Sequence, residues 1–192
     1  MIDVHEPKGE RRRALVAAAY QRIADEGFEG LRTRDVAADV GVNIATLHYY
    51  FPTKEALIRG VLEHAMQRFR TTLEPHGSPA DQLRNHLRSV RKLMTDEPQL
   101  GIVMGELALR SSRDPGVRAI VNEMFDTWQA AMGGLLRRAA REGNLSPGMS
   151  SDGVAALIIG TLMASTLPQM REARRGEQAL GQLEKMLGLS GR

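Results

Sequence analysis

The residues with the most usable chemistry lie close together. In Thr33–Lys54, TRDVAADVGVNIATLHYYFPTK, the side chains of Thr46, His48, Tyr49 and Lys54 offer a hydroxyl, an imidazole, a phenol and an ammonium. Such groups suit nucleic acid. Thr46 offers a hydroxyl and a methyl group to base edges, and His48, Tyr49 and Lys54 can donate to phosphate oxygens. Ala45 is small enough to let the backbone approach a groove, and Arg32 and Arg34 flank a helix start from which they reach phosphate.

Other chemistries find less support. There is no cysteine, so disulfides, thiolate catalysis and cysteine-type zinc sites are absent. The five histidines, at 5, 48, 64, 76 and 86, show no HExxH or facial-triad spacing, and no glycine-rich phosphate loop appears. His76 reads as a loop residue. No metal, no cofactor and no enzyme activity is expected.

The elements that must hold these residues are helices. Hydrophobic residues make up 42% and aromatics only 4%, so the core is built from Leu, Ala, Val, Ile and Met, and strand-like alternation is rare. The fold class is all-α. After a short polar start at residues 1–9, a helix from Glu10 buries Leu15, Val16, Ala19, Tyr20 and Ile23 and stops at Gly27, with Phe28 packing beyond it. Thr33 is the expected cap of a second helix, with Val36, Ala37 and Val40 inward and Gly41 ending it. Asn43 caps the third helix, whose apolar side is Ile44, Leu47 and Tyr50/Phe51. Pro52 ends that helix and Thr53 caps a fourth. Two helices joined by three or four residues cross steeply, so one can enter the major groove while the other braces it.

Residues 12–57 resemble the DNA-binding domain of TetR-family transcriptional regulators. The matching pieces are Ala17-Ala18, Gly27-Phe28, Thr33-Arg34-Asp35-Val36-Ala37, Val40-Gly41-Val42, Thr46-Leu47, Tyr49-Tyr50-Phe51 and Lys54-Glu55-Ala56-Leu57. Three positions depart from the family pattern. Asn43 stands where Ser or Thr is common, Ala45 where Gly is frequent, and His48 where Tyr is usual. The resemblance assigns DNA contact or support to Arg32, Thr33, Arg34, Asn43, Ala45, Thr46, His48, Tyr49 and Lys54.

Net charge is +3, yet residues 1–55 hold 8 Lys/Arg against 9 Asp/Glu. Affinity for DNA must therefore come from a few aimed cations, among Arg11, Arg12, Arg13, Arg32, Arg34 and Lys54.

We divide the chain into a helix-turn-helix domain, residues 1–53, and a helical ligand-binding and dimerisation domain, residues 54–192. The fourth helix runs to about Leu73, and Pro75–Pro79 is the clearest break. Further helices are expected from Pro79 to Thr95, Pro98 to Ser112, Pro115 to Glu142 (ended by Gly143-Asn144), Ser151 to Leu167 and Glu177 to Leu187. Eight of the ten methionines follow residue 90. Met fills adaptable spaces, so Met94, Met104, Leu107, Met124, Trp128, Met132 and Met163 are the expected walls of a ligand pocket. Glu106, Gln129 and His86 read as surface residues.

The helix from Val154 is apolar almost all round and must be covered on every side. The resemblance implies a homodimer through a four-helix bundle of the last two long helices. That places Ile158, Gly160, Leu162, Ala164, Leu180, Leu183 and Leu187 at the interface. The stretch Val154–Leu167 is too short to span a bilayer, and the N-terminus lacks an apolar signal-type core, so a cytoplasmic protein without membrane attachment is expected.

The resemblance thus implies a transcriptional repressor bound as a homodimer to a palindromic double-stranded DNA operator. Its two recognition helices would lie about 34–36 Å apart, and a small apolar effector would release it. The alternative is a DNA-binding or docking module with no small-molecule ligand.

Overall fold

The computed structural model describes residues 8–72, 76–143, 148–172 and 174–189. Among these the chain forms ten α-helices and one 3-10 turn, with no strand. The helices are α1 (Lys8–Glu26), α2 (Thr33–Asp39), α3 (Ile44–Tyr50), α4 (Lys54–Arg70), α5 (Pro79–Asp96), α6 (Pro98–Ser111), α7 (Pro115–Arg141), α8 (Ser151–Ala164), α9 (Pro168–Glu172) and α10 (Arg175–Met186). The 3-10 turn, Phe28–Gly30, joins α1 to α2. Expectations for residues 1–7, Leu73, Pro75 and Asn144 lie outside the described residues.

Local chemistry explains the starts. Pro79, Pro98 and Pro115 each open a helix, where a missing N–H costs nothing. Ser78 and Asp81 form a reciprocal capping box, the Asp81 N–H donating to Ser78 Oγ at 3.2 Å. Asp114 accepts from the N–H groups of Gly116 and Val117 at 3.0 and 3.1 Å. The helix from Ser151 ends sooner than the sequence predicts. The hydroxyls of Ser165 and Thr166 donate to the carbonyls of Thr161 and Met163, and the chain turns into the short α9 before α10.

Apolar side chains from Leu15 to Leu189 form one continuous core. The long α7 is its axis, packing against α4, α5, α6 and α8, while α1 packs on α4 and α6. At the crossing of α1 and α4 stands Gly60. A methyl group there would sit 3.0 Å from Val16 Cγ2 and 3.1 Å from Phe51 Cε1, so any side chain would have to push these buried neighbours aside by a few tenths of an ångström.

Three readings are corrected by burial. His86 is fully buried, not on the surface. Its Nδ1 lies 2.8 Å from Thr72 Oγ1, whose own proton goes to the Phe69 carbonyl at 2.6 Å. The imidazole therefore donates from Nδ1, and Nε2 is an acceptor with no partner among the described residues. Burial pushes its pKa down to about 4. Glu106 and Gln129 are half-buried and bonded: Glu106 accepts the Phe28 N–H at 3.0 Å, and Gln129 donates to the Asp152 carbonyl at 2.7 Å. An acid in an apolar helix is thus recruited by a backbone donor some eighty residues away in sequence.

Candidate nucleic-acid interface

The turn between α2 and α3 sets the angle of the candidate recognition helix. Gly41 has φ 69°, and open space surrounds the position of a Cβ, so the left-handed backbone rather than crowding selects glycine. Val42 then donates to the Ala37 carbonyl at 2.9 Å. Val36 and Ala37 of α2 and Leu47 of α3 are buried, and this fastens α3 to its brace.

Asn43 caps α3. Its Oδ1 accepts from the Thr46 N–H at 2.8 Å and from the Thr46 hydroxyl at 3.0 Å. The hydroxyl of Thr46 is therefore held at the helix start with its proton committed, leaving oxygen lone pairs and a methyl group for a base edge. Ala45 and His48 are exposed, and Tyr49 is 65% exposed, its ring edge-on to Tyr50 at 5.2 Å. Thr33 departs from expectation. It is the first residue of α2, the capping position falls to Arg32, and no side chain caps that helix. Arg32 and Arg34 are exposed on either side of it.

The fold also explains the near-neutral charge count. Arg22 gathers the acids of α2: Nε donates to Asp39 Oδ2 at 2.5 Å, Nη2 to Asp39 Oδ1 at 2.9 Å, and Asp35 lies at 3.8 Å. The Arg22 guanidinium holds the Asp39 carboxyl below its usual range. These acids are neutralised from behind, while Arg32 and Arg34 stay exposed. Arg12 reaches Glu63 at 3.5 Å and lies over the Phe51 ring.

Lys54 is half-buried. Its ammonium lies 4.6 Å from the centre of the Phe28 ring, with Arg110 over the same ring at 4.7 Å. Burial there pushes the Lys54 pKa down. In this conformation Lys54 joins the 3-10 turn to α4 and α6.

The expected pocket and interface residues are also redistributed. Met104, Leu107, Trp128 and Met132 are closed inside the core, Trp128 packing on Phe69 with ring centres 5.2 Å apart. Met124 edges a cleft between α4 and α7, and Met163 is half-buried. Only Met94 of this set lines a half-open cavity of about 670 Å³ bordered by α5, α6, α8, α9 and α10. Ile158, Leu162, Leu180 and Leu187 are buried within the protomer, and Ala164 and Leu183 are half-buried. Gly160 is exposed, on a face of α8 that also shows Ala156 and Leu157, the last 60% exposed.

Sequence reasoning missed Glu106 and the Phe28–Lys54–Arg110 stack, which join α6 to the 3-10 turn. A lone acid in an apolar helix was the available signal for the first. No local signal marks the second, because its members come from three separate elements.

Among the described residues, no cluster of three metal-ligating side chains occurs, and no helix is long and apolar enough to cross a membrane. Two family models match the chain. One, described as bacterial regulatory proteins, tetR family, covers residues 15–61, and one described as Tetracyclin repressor-like, C-terminal domain, covers residues 73–178. The chain is 28% identical over 141 residues to the Nucleoid occlusion factor SlmA of Pasteurella multocida (strain Pm70), which is 71% of this chain and 70% of that protein. It is 29% identical over 92 residues to the HTH-type transcriptional regulator RutR of Escherichia coli (strain K12), 46% of this chain and 43% of that one. Its fold is similar to a TetR transcriptional regulator from Chloroflexus aurantiacus J-10-FL, with a TM-score of 0.78 at 24% identity, covering 94% of this chain and 95% of that one.

Proposed function

The chain belongs to the tetR family of bacterial regulatory proteins, DNA-binding transcriptional regulators and not enzymes, and from that premise we propose that it represses transcription as a homodimer on a palindromic operator in the cytoplasm. The observation that carries this reading is the presentation of α3. Its inner residue Leu47 is locked against α2, its start is capped by Asn43, and Ala45, Thr46, His48 and Tyr49 face outward. We assign base contact to Thr46 with Ala45 permitting close approach, and phosphate contact to Tyr49, His48, Arg32 and Arg34. Lys54 would reach phosphate only by leaving the Phe28 ring.

The functional division falls between Thr53 and Lys54, with α4 packing on both α1 and α7. The exposed Ala156, Leu157 and Gly160 face of α8 is our candidate surface for the second protomer. A small effector in the C-terminal domain would act through α6. That helix lines the 670 Å³ cavity with Pro98 and Gly101, and at its far end Glu106 and Arg110 grip Phe28. A ligand that shifts α6 therefore pulls on the turn that leads into α2, and release of DNA follows from its preference for one of two helix positions.

The test is selection of bound DNA from a random pool with the full chain, followed by affinity measurements at several salt concentrations. The expected result is an inverted repeat with half-sites about one DNA turn apart and affinity that falls steeply with salt. Retention of DNA with no preferred sequence would sink the repressor reading.

A further inference from the structure

The cavity bounded by α5, α6, α8, α9 and α10 has a polar rim and an apolar floor. Its floor includes Leu162 and Leu180, both nearly sealed from solvent, with Met94 and Met170 half-buried beside them. Its volume, about 670 Å³, lies inside the range of roughly 300–1,000 Å³ that holds small organic ligands.

The charges at this cavity are unequal. Four cations, Arg88, Arg91, Lys92 and Arg174, line it with two acids, Asp96 and Glu177. Lys92 is paired with Asp96, Arg174 with Glu177 at 2.7 Å, and Arg91 with Glu184 at 3.4 Å. Among the described residues no acid and no hydrogen-bond acceptor engages Arg88, which is exposed at the rim of α5. A guanidinium keeps its charge at any physiological pH and binds a planar oxyanion through two parallel N–H bonds. Small residues keep the floor in this shape. Gly101 and Gly105 of α6 face Thr166, whose Oγ1 would lie 3.3 Å from a methyl group at Gly105. Gly176 lies so close to Ser165 that any side chain would overlap its hydroxyl and Cβ.

We propose that the effector is a small amphipathic organic anion, its apolar body on the Met94, Leu162 and Leu180 floor and its oxyanion head held by Arg88. This rests on the effector reading above and narrows it: an oxyanion head can add a two-point pairing with the exposed Arg88 that a purely apolar molecule cannot make. A carboxylate and a phosphate monoester share the required head.

Calorimetric titration of the full chain with octanoate, octyl phosphate, octanol and octylammonium tests it, with operator release measured alongside. Octanoate or octyl phosphate is expected to bind at least tenfold tighter than octanol, with octylammonium weakest. The tighter of the two anions identifies the head. Arg88→Ala is expected to remove that advantage and leave octanol unchanged, and Arg88→Lys to restore part of it. Arg88 is exposed, so these variants keep the fold, and an unchanged melting temperature without ligand verifies this. Equal binding of octanol and the anions, or an Arg88→Ala variant that keeps the anion preference, would overturn the anion proposal. In that event release of operator by octanol would leave the effector reading standing. If none of the four probes bound or released DNA, the anion proposal would fail. A wider screen of neutral and cationic compounds, read by release of operator, would then decide the effector reading separately.

Discussion

Thr46 and Tyr49 are three residues apart on α3, and the proposed reading gives them different tasks. Thr46 is tethered to Asn43 at the helix start, so its methyl group and lone pairs hold a defined position relative to the backbone. Tyr49 projects further and is 65% exposed. Thr46→Ala is expected to change the preferred base at one position of each half-site, with a shift of about 1–3 kcal/mol between the best and next-best sequence. Tyr49→Phe should weaken every sequence alike. Competition binding against a set of single-base operator variants separates these outcomes, and an even loss across the set for Thr46→Ala would show that it reads no base. At this scale the sequence was informative where a residue's role is local. Asn43 as a cap depends on three consecutive residues and was legible. The position of the Lys54 ammonium against the Phe28 ring was not, because it depends on where α6 and the 3-10 turn place that ring.

At the scale of elements, helix boundaries followed proline, glycine and capping chemistry closely, but helix contacts did not. Nothing near Gly60 in sequence says that α1 crosses α4 there. The crossing brings buried Val16 and Phe51 to within about 3 Å of the place a side chain would occupy. A Gly60→Val substitution is therefore expected to destabilise the protein by about 1–3 kcal/mol. The two neighbours are locked in the core, and the intrinsic helix preference for Val over Gly is smaller than the overpacking cost. The denaturant midpoint measures it, and an unchanged or higher midpoint would mean that the helices separate there at no cost. The all-round apolar pattern of α8 shows the same limit. The pattern required cover on all sides, and the fold provides most of it from α7 and α10 of the same chain. Ile158 and Leu162 thus became core positions, while Leu157 and Gly160 stayed outside.

At the scale of the whole molecule, His86 links pH to stability. The folded protein holds it neutral down to about pH 4, whereas an exposed histidine gains its proton near 6.5. Below the latter pH the unfolded chain binds a proton that the folded chain excludes, so stability falls with decreasing pH across the window from 6.5 to about 4. The loss reaches roughly 3 kcal/mol at the bottom of the window, at about 1.4 kcal/mol for each unit of separation. His86→Leu is expected to flatten that part of the stability–pH curve, measured by chemical denaturation between pH 7 and 4. A curve with the same slope as the parent would assign the acid sensitivity to other groups.

The all-helical class, the helix-turn-helix and the outward residues of α3 were determined by the sequence itself. Each depends on periodicity, caps and breakers within a few residues, and local sterics and hydrogen bonding act at that range. The placement of the cavity was decided by tertiary packing. Methionines and Trp128 signalled adaptable apolar space, but the packing of α7 closes most of them inside the core. A cavity instead falls where α5, α6, α8, α9 and α10 meet, lined by glycines and by Arg88, which has no partner among the described residues. A cavity is what remains when helices cannot approach further, so it depends on their mutual distances and not on the composition of any one of them.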